Sequence, residues 1–232
     1  GSFFLNQDYF NYATGLTMTN KKFANLFGKS VRHSETENLD QFHMDIAASI
    51  QEVIEEAVIK IVKNLSEKYK IRNLCMAGGV ALNCVVNGKL LNSNYFDNIW
   101  VQPAAGDAGG SLGAALLYWH RELKNSKEIK KDTMQGSFLG PSFNNNKIEE
   151  ALVGCGAKFE RINYRAIIEK TANYLSNGKA VGWFQNRMEF GPRALGCRSI
   201  LADPRSEKMQ KNLNLKVKFR ESFRPFAPSI LC

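Results

Sequence analysis

Between Ile71 and Leu123 short apolar runs alternate with helical spacing across joints of glycine and alanine, and this alternation limits the fold more than any other feature. Ile71 to Ala77 suits a buried strand, stopped by Gly78-Gly79, after which Val80 to Leu91 resumes helical spacing. Asn98 to Gln102 reads as a second strand ending at Pro103, and beyond Ala104-Ala105-Gly106-Asp107 a further helix runs from Ala108 to Leu123. Strands and helices in alternation predict an α/β layered fold. Ahead of them, Ile46, Ile50, Val53, Ile54, Ala57, Ile61 and Leu65 line one face of an amphipathic helix over Asp45 to Tyr69, with Glu52, Glu55, Glu56, Lys60 and Lys63 on the other face.

Residues 124–136, KNSKEIKKDTMQG, are polar and lysine-rich and mark a linker between domains at 3–123 and 137–232. Beyond it the pattern predicts a strand at Ser137 to Leu139, a helix at Lys147 to Gly154, a strand at Ala157 to Ile162, a helix at Arg165 to Ser176 and a strand at Ala180 to Phe184. A helix over Ser206 to Leu215 and an extended tail from Ser222 to Cys232 complete the reading, and no internal repeat is present. Gly1-Ser2 resembles an expression scar, and RPFAPSILC ends abruptly in what reads as a buried strand. The chain is therefore expected to be a truncated piece of a longer protein.

The net charge of +9 is uneven. Residues 1–120 hold 10 Lys+Arg against 11 Asp+Glu, and residues 121–232 hold 21 against 11. No apolar run is long enough to span a membrane. Five cysteines, Cys75, Cys84, Cys155, Cys197 and Cys232, show no CxxC spacing, which argues for a reducing cytoplasm rather than a disulfide framework or structural zinc. Each reads as an inert thiol, with Cys197 the one placed to be reactive.

The excess charge concentrates in WFQNRMEFGPRALGCRSILADPR, Trp183 to Arg205, which carries Arg187, Arg193, Arg198 and Arg205 around a Gly-Pro turn. A guanidinium offers a planar fork of donors suited to phosphate or carboxylate, and Gly191 and Gly196 let backbone approach a ligand. A solvated basic loop is the bland alternative. Nearby aromatics sit among apolar residues and read as core, so a small polyanion is favoured over nucleic acid. Glu189 is expected to pair with one of the arginines rather than act as a base.

Gly78-Gly79 between strand and helix puts free amides where a phosphate could sit, or serves an ordinary tight turn. Asp107, flanked by Gly106 and Gly109-Gly110, is either a helix N-cap or a metal or phosphate-site ligand. His33, His43 and His120 read as surface or satisfied core histidines.

LCMAGGVALNCVVNGKLL, VQPAAGDAGGSLGAAL, GWFQNRMEFGPRALGCRSILADPR and VKFRESFRPFAPSIL, in this order between Asp40 and Leu231, resemble the nodulation and antibiotic O-carbamoyltransferase family. The resemblance implies the second lobe of an actin-like (Kae1-like) ATPase fold followed by a truncated YrdC-like α/β domain. It implies an enzyme that makes carbamoyl-adenylate from carbamoyl phosphate and ATP and then carbamoylates a small-molecule hydroxyl. Arg187, Arg193 and Arg198 would be catalytic, and Arg205, Lys218, Arg220 and Arg224 would bind phosphate. Gly78, Gly79, Asn83 and Gly106 would contact the nucleotide. Asp107 matches the family's metal-ligand aspartate, for a divalent metal, iron, whose two histidine partners lie in the earlier lobe. The family places Asn where this chain has Cys197. No membrane partner is expected, and a homodimer is left open. The runner-up is an RNA-associated module related to transfer-RNA threonylcarbamoylation enzymes; a non-catalytic nucleotide-binding scaffold is a third reading.

Overall fold

The computed structural model describes residues 3–33, 35–127 and 132–230; the middle of the lysine-rich segment and the last two tail residues, Leu231 and Cys232, lie outside them. It is a mixed α/β structure with two small sheets. The chain divides into two compact units, 1–102 and 103–232.

In the first unit, α1 (Lys21–Phe27) starts at Asn20, whose side chain accepts from the amides of Lys22 and Phe23, and ends at Gly28 in the left-handed region. Rings of Phe10, Phe23, Phe27 and Phe42 follow one another at 4.9–6.5 Å. α2 (Gln41–Tyr69) begins four residues earlier than the apolar spacing alone predicts. The reason is a capping box: the Asp40 side chain accepts from the His43 amide, and the Asp40 amide donates to His43 Nδ1. Lys29 also holds the Asp40 carboxylate. His43 is thus a structural residue.

β1 (Asn73–Met76) and β2 (Asn98–Val101) pair in parallel, Asn73 opposite Asn98 and Met76 opposite Val101. A parallel pair needs a crossover, which α3 (Cys84–Asn92) supplies. The predicted helix from Val80 is interrupted, because Asn83 caps α3 by accepting from the Val86 amide while residues 79–82 form a separate 3₁₀ turn. Leu74, Met76 and Ile99 pack with Ile54, Val58 and Ile59 of α2 around the buried Val62, Val86, Leu90 and Phe96.

α2 departs from the predicted stripe. Ile50 and Val53 are exposed, whereas Glu55, expected on the wet face, is buried and paired with Lys89 of α3. The Gln51 amide also donates to Glu55, at 2.8 Å. A carboxylate tolerates burial only with such partners.

The second unit opens with α4 (Asp107–Leu117), which widens into a π-helical turn over Tyr118–Glu122. Ser137 to Leu139 is not a strand, because Gln135, Gly136 and Ser137 take positive φ. α5 (Asn145–Gly154) and α6 (Tyr164–Ser176) start at Asn144 and Asn163, each an N-cap. The predicted strand at Ala157 to Ile162 forms no pairing among the described residues. β3 (Val181–Phe184) pairs antiparallel with β4 (Arg198–Leu201), and α7 (Met209–Lys216) follows. The described part of the tail, 222–230, carries no regular structure.

Leu90 is wholly enclosed between helices and sheet. Leu90→Ala should cost about 2–5 kcal/mol of first-unit stability, checked by urea denaturation.

Candidate anion-binding site

The arginine-rich stretch forms the β3–β4 hairpin: Arg187 and Arg193 lie in its loop, residues 185–197, Arg198 opens β4 and Arg205 follows it. A reversal of this length turns several amides inward, and a buried amide needs an acceptor. Glu189, 7% exposed, provides it. Its Oε1 accepts from the amides of Leu195 at 2.8 Å, Cys197 at 2.7 Å and Arg198 at 3.2 Å. Burial pushes this carboxyl up, but those amides together with its own outweigh burial and hold it at about 2. The expected pairing with an arginine is therefore corrected: among the described residues Glu189 forms no ion pair and binds backbone, because three amides converge on its Oε1.

A strap formed by residues 137–141 holds the loop from outside. Phe190 N donates to Ser137 O at 2.7 Å, the fully buried Ser137 Oγ donates to Phe190 O at 3.1 Å, and Gly140 N donates to Met188 O at 2.9 Å. Met188 N returns a bond to Pro141 O at 3.0 Å. Contact here is so close that a Cβ on Gly140 would stand 2.8 Å from Met188 Cβ and O. Gly191, at φ 121°, lies against the segment that leads into α4: a Cβ there would stand 3.0 Å from Pro103 O and 3.1 Å from Ala104 Cα. The basic loop and the approach to Gly106 and Asp107, separate in sequence, are neighbours in this unit.

The seven cations named from sequence fall into distinct groups. Arg198 is spent on the fold: Nη1 donates to Gln185 O at 2.6 Å and Cys197 O at 2.9 Å, Nη2 to Asn186 O at 3.3 Å, and the guanidinium stacks 3.5 Å over the Phe184 ring. Arg205 is forked onto Asp203, with Nε–Oδ1 and Nη2–Oδ2 at 2.9 and 2.5 Å, which holds the Asp203 carboxyl below its usual range. Arg224 pairs with Glu221 at 2.8 Å. Arg220 donates to Asn214 Oδ1 at 2.6 Å and lies 5.0 Å over Phe226. Arg187 makes one bond, to Leu139 O at 3.2 Å. The exposed side chains of Arg193 and Lys218 make no hydrogen bond or ion pair among the described residues. Among the described residues an anion at Arg193 or at Lys218 would displace no side-chain partner, whereas one at Arg187 would compete with the Leu139 carbonyl.

Asp107 is not the N-cap. That position belongs to Gly106, which has no side chain to cap with, and Asp107 is the exposed first residue of α4, where its charge suits the helix dipole. Among the described residues no three of His, Cys, Asp and Glu gather as a ligand set. One exposed carboxylate does not by itself fit a tight transition-metal site. In the first unit Gly78 takes φ 96°, open to glycine, and Gly79 starts only the short 3₁₀ turn. Asn83 exchanges amide hydrogen bonds with Gln51 as well as capping α3, which leaves its side chain little capacity for a nucleotide. Cys197 is 5% exposed and reads as inert rather than reactive.

Sequence reasoning misses two residues of this unit, Ser137 and Asn214, and gives a third, Glu189, the wrong partner. Glu189 was marked, since it is the lone carboxylate between Arg187 and Arg193, but for the wrong partner. Ser137 carried no sign at all. Asn214, wholly buried, organises the approach to Arg220 and Arg224 by donating to Ser222 O at 3.1 Å and Arg224 O at 2.8 Å. A polar residue beside Leu213 on a short helix gave no warning.

Two family models match the chain, one described as Carbamoyltransferase N-terminus over residues 1–116 and one as Carbamoyltransferase C-terminus over residues 172–232. The chain belongs to the carbamoyltransferase family. The second match takes in the whole basic hairpin and α7. This carbamoyltransferase chain is 57% identical to an uncharacterized protein of Synechocystis over 100% of its length and 38% of that protein. It is 44% identical to nodulation protein NolNO of Sinorhizobium fredii, over 82% of the chain and 28% of that protein. Nodulation protein NolO of Bradyrhizobium diazoefficiens is also 44% identical, over 82% of the chain and 34% of that protein. The chain thus spans well under half the length of these curated relatives. No described helix is long and apolar enough to cross a membrane.

Two outcomes test the loop. The Glu189 carboxylate is held below its ordinary value of 4.5, so its contribution to stability is complete above that pH and lost as pH falls toward about 2. The urea midpoint of the second unit should drop across that window, and Glu189→Gln should flatten the drop. Gly191→Ala forces an L side chain into positive φ against the Pro103 carbonyl and should destabilise the unit by about 1–3 kcal/mol, read by thermal melting.

Proposed function

We propose that the chain serves O-carbamoyl transfer, binding carbamoyl phosphate and ATP so that, with one water consumed and phosphate and pyrophosphate released, carbamoyl-adenylate forms and its carbamoyl group passes to a small-molecule hydroxyl, with AMP as leaving group. Family membership supports the reaction class. The observation that carries the reading further is Arg193, unpaired among the described residues and exposed in a loop pinned on both sides. With Arg187 and Lys218 it would offset phosphate charge, where guanidinium and ammonium groups are most effective if they need no reorganisation. Arg198, Arg205, Arg220 and Arg224 would serve by shaping the backbone around those three. In fold terms this reading takes the N-terminal part as a lobe of an actin-like ATPase and the C-terminal part as a YrdC-like domain. The acceptor is a small hydroxyl compound.

Calorimetry with carbamoyl phosphate and with ATP tests the assignment. Arg193→Ala should weaken at least one of them by about 1.5–3 kcal/mol, the scale of a charge-assisted hydrogen bond. Arg205→Ala, whose guanidinium is already committed to Asp203, should change little. Equal affinities in wild type and Arg193→Ala would remove Arg193 from the site. Salt-dependent RNA binding with no response to carbamoyl phosphate would instead point to the RNA-associated reading.

A further inference from the structure

We propose that Glu189 is a positioning residue, an anion built into the loop that sets the crest bearing Arg193 before any ligand arrives. The inference rests on the function proposed above and deepens it. A carboxylate in the midst of Arg187, Arg193 and Arg198 would be expected to neutralise one of them, and among the described residues it pairs with none. Its Oε1 instead gathers amides six, eight and nine residues further along the chain. The consequence for Arg193 is direct. The crest Pro192-Arg193-Ala194 is anchored before it by Gly191, wedged against Pro103 and Ala104, and after it by the Leu195 amide on Glu189. Gly196 N adds a bond to Ser199 Oγ at 3.1 Å, and Gln185 Nε2 donates to Gly196 O at 2.9 Å. Pro192 fixes its own φ within the crest. Only three residues are left between anchors, so the guanidinium has little backbone freedom to surrender on binding an anion.

The charge matters as much as the shape. Ionised acceptors make hydrogen bonds roughly twice as strong as neutral ones. A glutamine could offer one oxygen to the three amides, but a neutral one, so each bond would be weaker. The carboxyl stays ionised far below neutral pH, so the crest keeps its shape throughout the physiological range.

The test uses Glu189→Gln, Arg193→Ala and the double variant of the 232-residue chain, with carbamoyl phosphate, ATP and inorganic pyrophosphate as probes. Glu189→Gln should release the amides of Leu195, Cys197 and Arg198 to faster hydrogen exchange and weaken anion binding about three- to tenfold, the cost of ordering one long side chain. In the Arg193→Ala background it should weaken binding no further, because its effect runs through Arg193. A general loss of structure would lower affinity additively in both backgrounds. Additive losses, or wild-type affinity in Glu189→Gln, overturn the proposal. Should Glu189→Gln not fold, Glu189→Asp carries the same readouts, since it keeps the charge but is one methylene too short to reach all three amides. Pyrophosphate separates the two levels of inference. Binding of pyrophosphate that depends on Arg193 and Glu189, with no binding of carbamoyl phosphate or ATP, keeps the positioning role and defeats the carbamoyl reading. Binding of none of the three defeats both.

Discussion

One carboxylate oxygen, Oε1 of Glu189, closes the β3–β4 loop of the second unit. Loops ordinarily stay at the surface because their amides need water. Here the β3–β4 connection turns three amides inward onto a single acceptor. Once they are satisfied there, the strap at Ser137 to Pro141 can lie directly on Met188 and Phe190. Gly191 can then sit against Pro103 and Ala104 with no room for a side chain.

This arrangement divides the arginines by task. A guanidinium with five donors can satisfy several carbonyls at once, and Arg198 does so for Gln185, Asn186 and Cys197. Such an arginine is scaffold. Arg205 and Arg224 each have an internal carboxylate, and both are exposed enough for the pairing to contribute little stability in water. Charge counting along the sequence treats all of these alike. The structure separates them by what each side chain already holds.

Legibility varied with the physics of each element. α5 and α6 were readable to within two residues from their apolar pattern, the structure adding Asn144 and Asn163 as the caps that start them, and β1, β2 and β3 because their apolar runs are short and bounded. β4 was not, since Arg198 and Ser199 at its start look like a continuation of the basic loop; its pairing comes from across the hairpin. The strand expected at Ser137 to Leu139 rests on only two apolar residues, Phe138 and Leu139, and positive φ at Gln135, Gly136 and Ser137 prevents it from extending. Glu55 was placed on the wrong face because periodicity counts charge as outward, and a buried pairing with Lys89 is a tertiary fact. At the site, the arginine cluster was plain from sequence, while the roles of Glu189, Ser137 and Asn214 depend on which backbone groups face inward. The motifs themselves named the family.

The parallel pairing of β1 and β2 also sets an order of events in time. Asn73 and Asn98 stand 25 residues apart, and neither strand can register with the other until the Gly78-Gly79 turn has reversed the chain and α3 has brought it back. Loop-closure entropy must be met before any ladder bond forms. β3 and β4 face a shorter, local search, through a loop whose acceptor sits inside it. The first unit should therefore acquire its helices early and its sheet last, and a nascent chain paused between the two strands would expose the apolar faces of Leu74 and Met76 to whatever strand edge is nearby.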